Sequence, residues 1–324
     1  MKPSASIPRL FYFAGSLLLV MPMGLRGQGG EGRGREMPAN LKQANELMRE
    51  GKTADALAAV RRELQRRPGS PLAANLLDVL GATAEAREVF QERLASAPDP
   101  AAKATAQRAM AMSFAFDGDA ANTVACEKQV IAYWVTREQA VPQNAFYQEG
   151  EMANEAARVC LDAGDLAAAE QWYRKGTELG LKEPEPKTHP ASLWEFRLTH
   201  ALGRLAARRG DAVEAKKQIA IARKLLDGSP EMAKQQERFL PYLVGYVALY
   251  TNDLKTAEAE LAKAVTMSGN RNDPFMICLL AMTYEKLGQA DKAKEFYRSA
   301  YDQATAHNPS AAFARPFARK KLGL

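Results

Sequence analysis

Two runs of side chains have the types and the spacing of a binding site for acidic groups. Guanidinium groups bind carboxylates through two parallel N–H donors, and tyrosines supply rigid contact area at protein interfaces. The set comprises Arg197, His200, Arg204 and Arg208 at helical spacing, followed by Tyr242, Tyr246 and Tyr250 at intervals of four residues. Their chemistry predicts binding of an acidic or C-terminal peptide segment. The alternative is that the arginines are solvated and that the aromatic side chains pack on a neighbouring unit, because aromatic stripes at helical spacing usually belong to a core.

Residue patterns that indicate catalysis or metal binding do not occur in this sequence. It has no H-E-x-x-H, C-x-x-C or G-x-S-x-G motif, and the three histidines, His189, His200 and His307, lie far apart in the chain. The stretch Gly27–Gly32 matches G-x-G-x-x-G, but it lies in a glycine-rich segment with no strand before it. We therefore expect a protein that is not an enzyme and that uses no cofactor and no metal.

Composition and charge limit the class of partner. The chain has 324 residues, of which 47% are hydrophobic and 25% charged, and helix-favouring Ala, Leu, Glu, Lys, Arg and Gln dominate. The formal net charge is +6, but residues 1–27 contribute three basic side chains and no acidic one. The rest of the excess is spread over about three hundred residues. No strong phosphate-binding field results, so nucleic acid is not an expected partner.

The N-terminus has the pattern of an export signal. Lys2 and Arg9 precede an uncharged apolar run over residues 10–25, which Pro22 interrupts. A basic flank before a short apolar run is typical of a signal peptide, and the run is shorter than a membrane-spanning helix requires. We expect residues 1–27 to be a signal peptide or a retained N-terminal anchor, and residues 28–38 to be a glycine-rich linker. An exported protein, periplasmic or extracellular, follows from the first reading, and contact with the membrane only through this segment follows from the second.

An internal repeat covers the rest of the chain. Its anchors are Gly51, Gly81, Gly118, Gly164, Gly210, Asn252 and Gly288. A small residue stands seven positions before each anchor and another stands five positions after it. Two helices joined by a tight turn need a residue that tolerates left-handed backbone at the turn, and small residues where the helix axes come closest. The pattern predicts a series of antiparallel helix pairs.

The repeat resembles the tetratricopeptide repeat. The clearest units are Ala163–Gly176, which reads AGDLAAAEQWYRKG, and Leu287–Ala300, which reads LGQADKAKEFYRSA. The anchors are 30 to 46 residues apart, against a family period of 34, and the second unit is predicted to be one helical turn short. The resemblance implies an all-α fold, an α-solenoid of antiparallel helix pairs with about seven repeats over residues 39–305.

The resemblance also implies a function and a site. In this family the first helix of each pair lines a concave surface that binds a protein or a peptide. The residues placed on that surface are Arg158, Arg197, His200, Arg204, Arg208, Tyr242, Tyr246 and Tyr250. We therefore expect a protein-interaction scaffold or adaptor whose partner the sequence does not identify. A membrane-tethered assembly component and an accessory subunit of an envelope complex remain alternatives.

The C-terminal tail departs from the repeat. Residues 306–324 are predicted to form a helix that covers the last apolar face of the array, because stacked repeats leave that face uncovered. Phe313 and Phe317 would then pack inward while Arg319, Lys320 and Lys321 face water. A partner-binding role for this basic end is the alternative.

Overall fold

The computed structural model describes residues 37–324, and these residues fold into α-helices with no strand among them. The expected signal or anchor segment and most of the linker lie outside the described residues. In chain order the helices are α1 (Ala39–Arg49), α2 (Thr53–Arg66), α3 (Pro71–Leu80), α4 (Thr83–Ala95), α5 (Pro100–Phe116), α6 (Ala120–Val135), α7 (Pro142–Ala163), α8 (Leu166–Leu181), α9 (Ala191–Arg208), α10 (Ala212–Gly228), α11 (Pro230–Gln236), α12 (Phe239–Tyr250), α13 (Leu254–Thr266), α14 (Pro274–Lys286), α15 (Ala290–Gln303) and α16 (Pro309–Leu322).

All seven predicted anchors lie in the turns that join the two helices of a pair. Each has a positive φ angle, from 65° at Asn252 to 90° at Gly164. Glycine adopts this backbone conformation without a steric penalty, and asparagine is one of the few other residues that tolerate it. The turns join α1 to α2, α3 to α4, α5 to α6, α7 to α8, α9 to α10, α12 to α13, and α14 to α15.

The small residues of the repeat lie where paired helices approach each other. All seven that precede the anchors are buried. At Gly245, a Cβ atom would lie 2.6 Å from Cγ of Leu261 on the partner helix, so no larger residue fits there without a shift. The prediction of an all-α solenoid built from antiparallel helix pairs is confirmed.

The uneven spacing of the anchors reflects helix length and one additional helix. The α3 helix has ten residues whereas α7 has 22, which matches the expectation of a short second unit. The seven-residue α11 helix lies between the fifth and sixth pairs and accounts for part of their long spacing. The turn within each helix pair therefore keeps the same geometry along the chain, while the lengths of the helices and of the connections between pairs vary.

The C-terminal helix α16 folds back onto the side of the array that the first helices of the pairs form, and we call this side the inner face. It packs on α14 and α15 of the last pair, and also on α3, α5 and α7 of the second to fourth pairs. Phe313 packs on Phe275 with ring centroids 4.9 Å apart, and Phe317 lies 6.1 Å from Tyr297 on the same measure. The phenylalanines thus face inward, and Arg319, Lys320 and Lys321 are exposed, as expected. The helix covers more than the last repeat, because it also joins the last pair to the second pair.

Candidate functional site

The predicted site residues come from three first helices of neighbouring pairs. Arg158 lies on α7; Arg197, His200, Arg204 and Arg208 lie on α9; and Tyr242, Tyr246 and Tyr250 lie on α12. Residues three or four positions apart share one face of a helix, so each run forms a stripe. The α9 and α12 helices pack against each other, which brings the arginine stripe against the tyrosine stripe.

The two stripes pair in register. Arg204 donates from Nη1 to the Tyr242 hydroxyl at 3.2 Å, and Arg208 donates to the Tyr246 hydroxyl at 3.4 Å. The Arg208 guanidinium also lies 5.0 Å from the centroid of the Tyr250 ring. Each of the two hydrogen bonds joins residues 38 positions apart in the chain. The second bond therefore repeats the first bond one helical turn further along both helices.

Residues that the sequence analysis did not assign to the site complete it. Tyr173 on α8 accepts from Nη2 of Arg204 at 3.0 Å. Asp162 on α7 accepts from Nε of Arg158 at 3.0 Å. Tyr173 stands nine residues after the Gly164 anchor, where most of the other repeats carry a bulky apolar or aromatic residue, so the sequence gave no sign of a polar role for its hydroxyl. We call Arg158, Arg204, Arg208, Tyr173, Tyr242, Tyr246 and Tyr250 the Arg–Tyr cluster.

Arg197 and His200 lie beside this cluster on α9. Arg197 forms an ion pair with Glu151 and stacks 4.8 Å from the Trp194 ring centroid. The His200 ring centroid is 5.0 Å from that of Tyr242. All eight predicted residues are therefore brought to one region of the inner face.

Most of the cluster and the adjoining His200 are buried. Arg204 is 3% exposed and Arg158 7%, whereas Arg208 is partly exposed, so two of the three arginines of the cluster are not solvated side chains on a helix surface. The aromatic residues do pack between units, since Tyr242 contacts Phe275 of the next pair edge-on at 6.0 Å. The alternative interpretation is thus wrong for the buried arginines, which are not solvated, and correct for the aromatic side chains, which pack on a neighbouring unit.

Burial sets the protonation states in the cluster. It lowers the pKa of His200 well below its usual value, and the Arg204 charge acts in the same direction, so this imidazole is neutral at pH 7. Burial raises the pKa of Tyr242 to about 12, which keeps its hydroxyl protonated. Arginine does not lose its proton in proteins. The cluster therefore presents fixed positive charge surrounded by neutral rings.

A cavity of about 60 Å³ lies within this region. Its walls come from α7, α8, α9 and α12 and from Pro309, the first residue of α16. The lining residues are Glu151, Asn154, Glu155, Arg158, Tyr173, Arg197, His200, Arg204, Tyr242 and Pro309.

A second cavity, of about 290 Å³, lies between α16 and the helices α5 and α7. Phe116 and Val159 form its wall on the array side, and Phe313 and Phe317 form its wall on α16. The C-terminal helix is consequently packed less closely on α5 and α7 than a core helix would be.

Polar contacts hold the C-terminal segment to α3, and we call them the C-terminal latch. Asp78 accepts from the Ser113 hydroxyl at 2.7 Å, and its other carboxylate oxygen lies 2.8 Å from Nε2 of His307. Arg315 donates from Nε to the carbonyl of Val79, and from Nη1 to the carbonyls of Tyr301 and Ala304. The latch connects residues 229 and 236 positions apart.

Within residues 37–324, no group of three or more histidine, cysteine, aspartate or glutamate side chains is placed to hold a metal ion. Over the same residues, no helix combines the length and the apolar character needed to cross a membrane.

Comparison with known proteins gives one family match, which falls on the last helix pair. Residues 276–307, which include most of α14 and all of α15, match the family model of the tetratricopeptide repeat. No curated protein shows a significant match.

Solved structures with related arrangements of helices are distant in sequence. A tetratricopeptide repeat protein from Parabacteroides merdae ATCC 43184 is 15% identical, with a TM-score of 0.43 and coverage of 88% of this chain and 96% of that chain. The TPR domain of P58(IPK) is 13% identical, with a TM-score of 0.32 and coverage of 88% and 97%.

Proposed function

We propose that this chain, an array of helix pairs that carries a tetratricopeptide repeat, is an exported scaffold whose inner face binds an acidic peptide segment of a partner protein. The match over residues 276–307 supports the general role, because tetratricopeptide repeats generally bind proteins and are typically not catalytic. The inner face, the acidic character of the segment and the export are our proposals.

The observation that carries the proposal is the convergence of guanidinium groups from α7 and α9 on the tyrosine stripe of α12. Arg158 and Arg204 are buried and Arg208 is partly buried, and each lies beside an aromatic ring. Guanidinium groups in a site of low dielectric bind carboxylates more strongly than exposed ones do. Tyrosine rings beside them supply contact area with little loss of conformational freedom.

A partner segment reaches this face only if the C-terminal helix moves, because Pro309 and α16 cover it. The loose packing of α16 on α5 and α7 lowers the free-energy cost of that movement. The latch residues His307 and Arg315 supply most of the polar contacts that oppose it. In this proposal the partner segment and α16 compete for the inner face.

The export proposal depends on residues outside the structure. Lys2 and Arg9 flank the apolar run of residues 10–25, as in a signal peptide. If the segment is retained, the same scaffold would be tethered to a membrane as a component of a larger assembly.

Affinity capture tests the proposal. Residues 28–324 would be used as bait against a native envelope extract, beside an Arg204→Met/Arg208→Met variant that keeps side-chain length and removes two charges. The matched control is Arg209→Met, because Arg209 adjoins the cluster in sequence but is exposed and pairs with Glu170. We expect a partner that the parent and the control retain and that the double variant loses, with binding that weakens as salt is raised.

A circular dichroism spectrum must first show that the double variant is folded. Capture of the same proteins by all three baits would contradict binding at the inner face. A partner that a bait of residues 1–324 captures and that all three baits lacking residues 1–27 lose would favour the membrane-tethered assembly instead.

A further inference from the structure

We infer that the 60 Å³ cavity beside the Arg–Tyr cluster is a binding site for one small oxyanion, a carboxylate or a phosphate, in the closed form of the protein. The inference concerns the array with α16 in place. It uses residues of the proposed peptide site, but it does not require that a peptide binds there.

The polar atoms around this cavity include more hydrogen-bond donors than acceptors. Both terminal nitrogens of Arg204 donate to tyrosine hydroxyls, while its Nε has no partner within the protein. Nη2 of Arg158 is buried and also has no partner. No acceptor among the described residues takes the hydroxyl proton of Tyr173 or Tyr242, although both oxygens accept from Arg204. A ligand that supplies acceptor oxygens would satisfy these groups.

Among the side chains that line the cavity, three arginines and two carboxylates give an excess of one positive charge. Arg158 pairs with Asp162, and Arg197 pairs with Glu151. A third pair joins Arg108 to Glu155, so both carboxylates that line the cavity are neutralised by arginines.

Arg204 has no carboxylate partner within 4.0 Å among the described residues, and it is 3% exposed. An unpaired charge is costly to bury, and arginine cannot relieve that cost by releasing a proton. A ligand with one negative charge would restore the balance.

The size of the cavity limits the ligand. A cavity needs ~10–15 Å³ on this measure to hold one water molecule, so 60 Å³ holds roughly four water-sized groups. Acetate and inorganic phosphate are of about this size, whereas a peptide segment is not. Donors from Arg158, Arg204 and two tyrosines approach from four helices, which suits an anion with several acceptor oxygens.

Equilibrium dialysis of the folded full-length chain against labelled acetate, and separately against labelled phosphate, tests the inference directly. We expect saturable binding of one anion per chain, at constant ionic strength set with sodium chloride. Binding of acetate alone or of phosphate alone would identify the source of the oxyanion. Saturable binding of neither anion at up to 10 mM, or equal competition by chloride, would overturn the inference and leave water as the occupant.

Variants connect the binding to Arg204. Arg204→Met removes the unpaired charge, and we expect it to abolish saturable binding. Arg209→Met serves as the matched control and should bind as the parent does. If Arg204→Met does not fold, Tyr173→Phe and Tyr242→Phe each remove one hydroxyl donor with little change of shape, and each should weaken binding at least threefold. Unchanged binding in all of these variants would overturn the assignment of the site.

The outcome is separable from that of the capture experiment. Anion binding with no captured partner would leave the inference intact and count against the proposed function. A captured partner with no anion binding would support the proposed function and count against the anion site.

Discussion

The C-terminal latch and the Arg–Tyr cluster are two polar regions of the same inner face, and each contains a buried arginine. Arg315 of the latch is 3% exposed, as is Arg204 of the cluster. Arg315 donates to three backbone carbonyls from two different parts of the chain. Arg204 donates only to two tyrosine hydroxyls. Each arginine keeps one buried nitrogen without a partner, Nη2 in Arg315 and Nε in Arg204, so the two differ in the groups that accept from them.

The difference shows that burial alone does not distinguish an arginine that stabilises the fold from an arginine that binds a ligand. Carbonyls in the last turn of a helix have few partners within that helix, so Arg315 adds hydrogen bonds at the end of α3 and at the end of α15. Tyrosine hydroxyls do not need a guanidinium in this way, and their own protons remain to be accepted. We therefore propose a stabilising role for the latch and a binding role for the cluster.

The largest expected effect would come from breaking the latch. Arg315→Met leaves three carbonyls without this donor, and we expect it to lower the free energy of unfolding by roughly 4 kcal/mol. Arg319→Met, one turn further along α16 and exposed, should change it by less than about 0.5 kcal/mol. Urea unfolding followed by circular dichroism measures both. Equal effects of the two substitutions would show that Arg315 is not a structural crosslink.

A buried carboxyl group differs from the two buried arginines, because it can lose its charge by binding a proton whereas an arginine stays charged. Glu149 is 0% exposed, neither of its oxygens is hydrogen-bonded, and burial, aided by the charge of Glu138, raises its pKa to about 7. Since this folded-state pKa exceeds the usual value of 4.5, the folded state binds the proton more tightly than the unfolded chain does. The stability that the group contributes is complete below pH 4.5 and is lost as the pH rises through 7.

The corresponding test is Glu149→Gln. The variant should match the parent near pH 4.5 and exceed its free energy of unfolding by about 3 kcal/mol at pH 8. Urea unfolding at several pH values gives the difference, and the exposed substitution Glu88→Gln should leave the pH profile unchanged. A constant difference between the Glu149 variant and the parent at every pH would show that Glu149 does not titrate near 7.

The smallest expected effect concerns the contact between Asp78 and His307. The single variants Asp78→Asn and His307→Gln, together with the double variant, form a cycle that measures their coupling. We expect about 1–2 kcal/mol, because the pair is buried and a second donor, Ser113, holds the aspartate in place. Coupling near zero would place the strength of the latch in Arg315 alone.

Local features of the fold were predictable from the sequence, and distant contacts were not. The anchors predicted every turn within a helix pair, because a positive φ angle restricts the residue type at a single position. The stripes on α9 and α12 followed from helical spacing combined with the register of neighbouring repeats.

The position of α16 on α3 could not be predicted, since Asp78 and Val79 carry no signal that pairs them with residues more than two hundred positions away. The role of Tyr173 was missed for a different reason. A tyrosine at a core position is interpreted as an apolar ring that packs, so its hydroxyl is not considered as a hydrogen-bonding group. Nine residues after each anchor the repeats carry a bulky apolar or aromatic residue, except after Gly118, where Glu127 stands, and the structure supplies the reason. Burial and the nearby Glu155 carboxylate raise the pKa of Glu127 well above its usual value, so it packs as a neutral side chain.

Closure by α16 has a consequence for how this protein is made. An open array of repeats is stabilised mainly by contacts between neighbours, so its units can form one after another as the chain leaves the ribosome. Here the second pair and the last pair are joined through Arg315 on α16, the helix that follows all seven pairs. The pairs from the second to the last therefore remain free to fray until α16 has been made and has packed on α3, and only then do they become one cooperative unit.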